Sequence, residues 1–415
     1  MAYLKETVAE YGIDKHIRYG QNVEGANWSD DDNRWTVSVE RDGEQVEISA
    51  RYLMACSGYY NYEQGGFSPE FAGAEDFEGT IVHPQHWPED LDYAGKRIVV
   101  IGSGGATAVT LIPALASSGA GHVTMLQRSP TFIAALPDID PFTVQTNKRL
   151  PEKAAYVLNR WKSIVAQSSQ YQIARRFPEF FRKQLLTMAR RRLPEGYDVN
   201  KHFNPSYNPW DQRVCLAPNG DLFKTIRAGK ADVVTDTIER FTKTGIKLSS
   251  GQELDADIII TATGLNLQLF GGGRDLPQRR GDRTQRHHGL QGHDADPHAE
   301  HGVHDRLHQR VVDAEGGPGV RVLLPGDQLH GRQRLRHRRA RHPGNSVEER
   351  PLMDFTPGYV LRALDYLPKQ GSRAPWRLKQ NYLVDLQLIR RGKVDDAALA
   401  FSRHRVPVAT SAQSA

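Results

Sequence analysis

The sequence is poor in cysteine and has no long apolar run. Only two cysteines, Cys56 and Cys215, occur in 415 residues, which excludes a disulfide framework and is typical of a reducing compartment. No apolar stretch of about 18 residues occurs, and the first residues lack the apolar core of a signal peptide. We therefore expect neither a membrane-spanning helix nor export, and predict a cytoplasmic protein, with peripheral membrane association as the alternative.

One segment, residues 271–345, lacks most of the residue types that build a folded core. It contains no Lys, Ile, Phe, Tyr, Trp, Met, Cys or Ser, yet it holds ten of the 16 histidines and 14 arginines. Because it has little apolar periodicity, we predict that it is disordered. The segment also carries most of the formal net charge of +5, so this charge is weak support for a nucleic-acid partner.

Three interpretations of residues 271–345 compete: a metal-binding histidine tract, a basic nucleic-acid-binding segment, and a shift of the reading frame. We favour the frame shift, because suitable G/C-rich codons for residues 299–315, translated one frame over, encode an ordinary strand–loop–helix sequence. Under this interpretation we expect no nucleic-acid partner and no metal site in the segment.

Apolar periodicity and turn residues predict the secondary structure of the rest of the chain. A helix is predicted over residues 1–12, a βαβ unit over residues 96–128 and a helical insertion over residues 141–207. Further strands are predicted at 16–19, 35–39, 45–48, 52–58, 233–234, 246–248 and 257–264.

A glycine-rich turn lies inside the βαβ unit, between a strand predicted at 96–101 and a helix predicted at 106–118. Glycines allow a tight turn and a close approach of the backbone to a pyrophosphate, and the start of the helix presents free N–H groups to phosphates. The βαβ context favours this role over a plain tight turn, which is the alternative. The candidate nucleotide-binding residues are Gly102, Ser103, Gly104, Gly105, Ala106, Thr107 and Ala108.

The second strand of the unit, predicted at 123–127, is followed by an arginine. A site for NAD has a carboxylate here for the ribose 2′-hydroxyl, whereas a basic residue suits the 2′-phosphate of NADP. Gln127 and Arg128 occupy this position, and no Asp or Glu does. We therefore predict that both residues contact the nucleotide and that the nucleotide is NADPH. A solvated arginine at a strand end is the alternative.

A twelve-residue motif precedes the βαβ unit and reads F-x-G-x-x-x-H-x-x-x-W-P over residues 77–88. Together with the glycine-rich turn, it resembles the fingerprint of Baeyer–Villiger monooxygenases, a family of flavin monooxygenases. The alternative is a loop whose side chains only pack. A metal pair at His83 and His86 is not expected, because carboxylate or cysteine ligands at suitable spacing are missing. The fingerprint residues are Phe77, Gly79, His83, Trp87 and Pro88.

This resemblance implies an α/β flavoprotein with two dinucleotide-binding, Rossmann-like domains, one for FAD and one for NADPH. It further implies a monooxygenase that uses both cofactors to insert one oxygen atom from O2 into ketones, or to add it to the sulfur of thioamides or sulfides. The expected partners are such a small molecule and O2, with a homo-oligomer left open. The alternative is an inactive fragment that binds at most NADPH.

The resemblance also assigns individual residues. Arg213 lies where the family has its catalytic arginine, whose guanidinium can stabilise negative charge at the flavin; a structural salt bridge would be the default for an isolated arginine. Val23 lies where the family places backbone against the adenine of FAD. The turn after Gly102 has one glycine more than the family pattern G-x-G-x-x-A, so Ala108 falls one position late.

By this resemblance the chain divides into successive segments. The FAD-binding G-x-G-x-x-G and its βαβ unit are expected to be missing, and the frame-shifted translation resembles the C-terminal flavin-side motif of the family. The segments are a remnant of the FAD-binding domain with the fingerprint (1–93), an NADPH-binding domain with the helical insertion (94–210), a return to the FAD-binding domain (211–270), the aberrant segment (271–345) and a C-terminal segment (346–415).

Overall fold

A computed structural model describes most of residues 2–267 and several short stretches after them. The described residues fall into two units. The first holds the described part of residues 1–59, 268–352 and 365–415, and the second that of residues 60–267 and 353–364. The described residues are 2–29, 32, 34–50, 53–54, 56–60, 65–104, 107–212, 214–267, 337–340, 347–352, 357–364, 367, 369–374, 376–377, 381–391 and 399–402.

The described residues contain both helices and strands throughout. The α-helices are α1 (Ala2–Glu10), α2 (Ala108–Ser117), α3 (Pro141–Arg149), α4 (Glu152–Arg176), α5 (Pro178–Arg190), α6 (Val199–Phe203), α7 (Asp221–Arg227), α8 (Gly358–Leu361) and α9 (Tyr382–Arg391). The strands are β1 (Asn22–Ser29), β2 (Arg34–Arg41), β3 (Glu44–Ala50), β4 (Thr80–Val82), β5 (Arg97–Ile101), β6 (His122–Gln127), β7 (Ile133–Leu136), β8 (Cys215–Pro218), β9 (Ala231–Thr235), β10 (Ile238–Thr242), β11 (Gly245–Leu248), β12 (Glu253–Asp255), β13 (Ile258–Thr261), β14 (His337–Ala340), β15 (Glu349–Pro351), β16 (Lys369–Gly371) and β17 (Leu399–Ser402).

The first unit contains an antiparallel sheet in the order β1-β2-β3. Trp35, Val37 and Val39 alternate along β2 and are buried on one face of the sheet, which is the period-two pattern of a half-buried strand. A two-residue turn joins β2 to β3, and Asp42 and Gly43 have φ of 54° and 84°. Positive φ at both positions is what a tight hairpin turn requires.

Two strands predicted in the first unit are absent from its described residues. Residues 14–16 form one 3-10 turn and residues 17–19 belong to no strand, because the chain turns at Gly20, with φ of 65°, before pairing starts in β1. The described residues of 52–58 also belong to no strand, and Cys56 is exposed. Apolar composition alone does not make a strand, because a strand also needs pairing with a neighbouring strand.

Within 271–345, predicted to be disordered, the structure describes only residues 337–340. These form β14, which pairs antiparallel with β17. Backbone hydrogen bonds between two short strands do not need apolar periodicity, which is why the composition gave no sign of this strand. The other residues of the segment lie outside the described part of the chain.

The second unit is built on a parallel five-stranded sheet in the order β4-β13-β5-β6-β9. Successive residues of β5 face opposite sides: Ile98 and Val100 pack with α2 and α7, whereas Val99 and Ile101 pack with the antiparallel sheet β10-β11-β12. Because both faces are covered, β5 and β13 are continuous apolar runs. The βαβ unit predicted at 96–128 is β5, α2 and β6.

The predicted domain boundaries at 93/94 and 210/211 both fall inside the second unit. β4, which precedes the first boundary, and β9 and β13, which follow the second, lie in the same sheet as β5 and β6. The structure therefore groups residues 60–267 differently from the predicted segments, because parallel pairing joins strands that are distant in sequence. Assignment of the segments to individual cofactors stays a prediction.

Four helices, α3 to α6, lie between the paired strands β7 and β8, where the sequence predicts a helical insertion. α3 begins at Pro141, and the Asp140 side chain accepts a hydrogen bond from the Phe142 backbone N–H at 3.2 Å, as a helix N-cap does. Pro178 separates α4 from α5 because proline disfavours a helical conformation in the residue before it. No helix in the described part of the chain is both long and apolar enough to cross a membrane.

Candidate functional site

The glycine-rich turn lies at the carboxyl end of β5, beside the ends of β6 and β13. The Gly102 N–H donates to the Leu126 carbonyl at 2.8 Å. Gly102 has φ of 131°, and a Cβ atom here would lie 2.3 Å from the Ala262 carbonyl oxygen. Only glycine suits this position, because its backbone is left-handed and the neighbouring strand end is too close for a side chain.

Space is open on the other side of the turn. No described atom lies within 4 Å of the place where a Cβ atom of Gly104 would be. The Ala108 N–H donates to the Gly104 carbonyl at 3.0 Å, and α2 starts at Ala108 rather than at the predicted residue 106. This arrangement fits a pyrophosphate between the turn and the start of a ten-residue helix. Gly105 and Ala106 lie outside the described residues.

Ser103 and Thr107 are also part of the turn. The Ser103 hydroxyl donates to the Ser129 carbonyl at 3.5 Å, and Thr107 precedes α2 without a side-chain cap. The Cys215 thiol donates to the Ser103 carbonyl at 3.9 Å and lies 3.7 Å from the Thr131 hydroxyl. The first residue of β8 is therefore bonded to the backbone of the glycine-rich turn.

Gln127 and Arg128 differ in their surroundings at the end of β6. Gln127 is 1% exposed, and its amide nitrogen donates to the His202 carbonyl at 2.7 Å and to the Thr235 hydroxyl at 2.8 Å. The Gln127 amide nitrogen would therefore have to give up hydrogen bonds inside the protein to make the predicted contact with a ligand. Arg128 is exposed and has no ion pair with any described residue, so its guanidinium is available to a phosphate.

The apolar fingerprint residues pack on opposite faces of the sheet. Phe77 is in the core beside β10–β12, with its ring 6.3 Å from the ring of Phe241 in an edge-to-face contact. Gly79 is needed because a Cβ atom there would lie 2.5 Å from the Asp257 carbonyl oxygen. Trp87 packs against the other core, with its ring 6.5 Å from that of Tyr93. Pro88 ends the motif, and its carbonyl accepts a hydrogen bond from the Leu91 N–H.

His83 lies at the carboxyl end of β4, next to Gly66 and close to the end of β13. A Cβ atom at Gly66 would lie 3.0 Å from His83 Nε2 and 2.4 Å from the Gly264 carbonyl oxygen. The pKa of His83 lies below its usual value, because burial disfavours the charged ring and His86 repels it. In the described part of the chain, no three or more His, Cys, Asp and Glu residues are placed to hold a metal ion.

The structure does not test the two residues assigned by resemblance. Arg213 lies outside the described residues; nearby, Asp211 accepts an ion pair from Arg175 at 2.6 Å. Val23 lies in β1 of the first unit and is 56% exposed. The roles of Arg213 and Val23 therefore stay predictions.

No sequence feature indicated the residues that contact Gln127. His202 and Thr235 lie 75 and 108 residues away from it in the chain. No motif or spacing connects positions so far apart. The pairing of β6 with β9 places Thr235 beside Gln127, and the hydrogen bond to its carbonyl joins His202 to the same amide.

Comparison with known proteins gives close relatives. Residues 1–270 match the model of a family described as flavin-binding monooxygenase-like. The FAD-containing monooxygenase EthA of Mycolicibacterium smegmatis is 59% identical over 413 residues, which is 99% of this chain and 83% of that protein. The protein of the same name from Mycobacterium tuberculosis strain H37Rv is 55% identical over 412 residues, 98% of this chain and 83% of that protein.

A solved structure of oxidized steroid monooxygenase bound to NADP superimposes with a TM-score of 0.50 at 24% identity. The alignment covers 64% of this chain, and the chain spans 56% of the length of that protein. This similarity confirms the predicted fold class, an α/β flavoprotein with two dinucleotide-binding domains. FAD in the relatives' names and NADP in this neighbour agree with the two cofactors that the sequence predicts.

The enzyme class predicted from the fingerprint and the glycine-rich turn is confirmed by these relatives. The family model covers well over half of the chain, and relatives more than half identical match nearly all of it. The chain therefore belongs to the flavin-binding monooxygenase-like family and is a flavin-dependent monooxygenase.

Proposed function

We propose that the protein uses FAD and NADPH to transfer one oxygen atom from O2 to a small molecule. The substrate class is a ketone, which becomes an ester, or a thioamide or sulfide, which is oxidised at sulfur. The observation that carries the choice of NADPH is Arg128 at the end of β6, which is exposed and forms no ion pair with a described residue. It lies beside an open glycine-rich turn, and no Asp or Glu follows the strand.

The residues of the chain have separate roles in this proposal. The backbone of Gly102 to Ala108 and the start of α2 hold the pyrophosphate of NADPH, and Arg128 binds its 2′-phosphate. Arg213 provides a positive charge where negative charge develops during oxygen transfer. When bound, FAD would supply the activation of O2.

The purified protein is expected to contain FAD, which the absorbance at about 450 nm measures. Stoichiometric FAD is the expected result. A colourless protein that still binds NADP+ would instead support the alternative of an inactive nucleotide-binding chain. The two results are separated by one spectrum and one binding titration of the same sample.

Arg128→Ala is expected to raise KM for NADPH with little change in kcat. The 2′-phosphate is bound equally in the ground state and the transition state, so its loss affects binding alone. A charge-assisted contact contributes about 1.5–3 kcal/mol, which corresponds to a KM increase of roughly ten- to a hundredfold.

The matched control is Lys230→Ala, an exposed cation that precedes β9 at the opposite edge of the sheet. Steady-state kinetics with NADPH and NADH should show no effect of this control. An unchanged KM in Arg128→Ala would contradict the assignment of the 2′-phosphate site.

A further inference from the structure

The short helix α6 is fixed at the carboxyl ends of β6 and β9. The Gln127 amide donates to the His202 carbonyl at 2.7 Å and to the Thr235 hydroxyl at 2.8 Å. Gln127 is the last residue of β6, and Thr235 is the last residue of β9. The end of α6 is therefore held beside the segment that carries Arg128, and the buried amide of Gln127 makes this link inside the protein rather than to solvent.

The same network contacts the ring of His202. Its Nδ1 lies 2.8 Å from the Thr235 hydroxyl. This hydroxyl accepts a hydrogen bond from Gln127 and keeps its own hydrogen; in the tautomer in which it donates that hydrogen to Nδ1, Nε2 carries the ring hydrogen. Burial lowers the pKa of His202, in agreement with a neutral ring at pH 7. No described residue accepts a hydrogen bond from Nε2, so this donor is available to a ligand.

Lys201 provides a positive charge at the same place. Its side chain is exposed and forms no ion pair with a described residue. Lys201 directly precedes His202 in α6, and the His202 carbonyl is bonded to Gln127 at the end of β6. The pKa of Asp236, the residue after β9, is lowered by hydrogen bonds from Ser250 and Thr237 and also by the charge of Lys201. The Asp236 carboxylate accepts from the Thr237 N–H at 2.7 Å and the Ser250 N–H at 3.3 Å.

We infer that Lys201 and His202 of the helical insertion complete, with Arg128, the subsite that distinguishes a 2′-phosphate from a 2′-hydroxyl. The inference rests on the proposed use of NADPH. A phosphate dianion has several acceptor oxygens and is best bound by more than one charge-assisted donor. Arg128 supplies a fork of N–H groups, Lys201 a point charge and His202 the hydrogen of Nε2. Selectivity for the cofactor then depends on α6 as well as on the βαβ unit.

The test is the equilibrium dissociation constant of NADP+ and of NAD+, measured by calorimetry on the purified chain. Lys201→Ala is expected to raise the dissociation constant of NADP+ by about tenfold and that of NAD+ by less than about twofold, because only NADP+ has the 2′-phosphate. His202→Asn should have the same selectivity, since an amide can still bond to Thr235 but lacks the Nε2 donor. Lys230→Ala, at the amino edge of the sheet, should change neither constant.

The outcomes separate this inference from the proposed function. If the unmodified chain binds NADP+ no better than NAD+, both are wrong. If Arg128→Ala weakens NADP+ selectively while Lys201→Ala and His202→Asn do not, the proposed function holds and the inference is wrong. Equal weakening of both nucleotides in Lys201→Ala and His202→Asn would show a structural role for α6 and would also overturn the inference.

Discussion

Arg213→Ala is expected to abolish oxygen transfer while the oxidation of NADPH continues. Hydride transfer from NADPH needs no cation at the position where oxygen is transferred, whereas the anionic stage of the reaction does. Removing one preorganised group that stabilises developing charge typically lowers the rate by about 100- to 1,000-fold. Electrons from NADPH should then reach O2 without oxygenation of the substrate, so hydrogen peroxide should accumulate in place of the oxygenated product.

The experiment measures NADPH consumption, hydrogen peroxide and oxygenated product in the same reaction. Arg175→Ala is the matched control, because this arginine pairs with Asp211, close to Arg213 in the chain. The control is expected to keep the ratio of product to NADPH consumed. Equal loss of NADPH oxidation and oxygenation in Arg213→Ala would show that the arginine supports binding or folding rather than oxygen transfer.

The parts of the fold whose elements follow one another in the sequence were predictable. The βαβ unit was predictable because strand, turn and helix follow one another within β5, α2 and β6, and because β5 is buried on both faces. α2 begins at Ala108, two residues after the predicted start, and Thr107 still belongs to the turn. The strand predicted at 52–58 failed for the opposite reason: its composition is apolar, but no described strand pairs with it.

The candidate site was predictable only in part. Gly102 and Arg128 could be proposed as site residues because their residue types have a physical meaning at a strand end, and their contacts with a nucleotide stay predictions. Lys201 and His202 were missed because nothing in a five-residue helix inside a long insertion indicates that it reaches the carboxyl edge of a sheet. α6 contacts this edge because the buried amide of Gln127 donates hydrogen bonds to His202 and Thr235. The sequence had predicted that Gln127 contacts the nucleotide instead.

Gly102→Ala and Gly104→Ala are expected to have different consequences, although both change the same turn. At Gly102 the new methyl group would lie 2.3 Å from the Ala262 carbonyl oxygen, on a backbone with φ of 131°. Backbone strain and overpacking together predict a loss of about 2–5 kcal/mol in the free energy of unfolding. At Gly104 no described atom is within 4 Å, so the free energy of unfolding should change by less than about 1 kcal/mol.

Gly104→Ala is expected to weaken nucleotide binding rather than stability. Its methyl group would occupy the open side of the turn, where the pyrophosphate must approach the backbone, so we expect NADP+ and NAD+ to bind at least about tenfold more weakly in a fully folded protein. Urea unfolding and calorimetric titration of both variants measure the two effects separately. Normal NADP+ binding by Gly104→Ala would exclude a pyrophosphate at this turn. An unchanged free energy of unfolding in Gly102→Ala would contradict the close approach of β5 and β13, because that contact leaves no room for a methyl group.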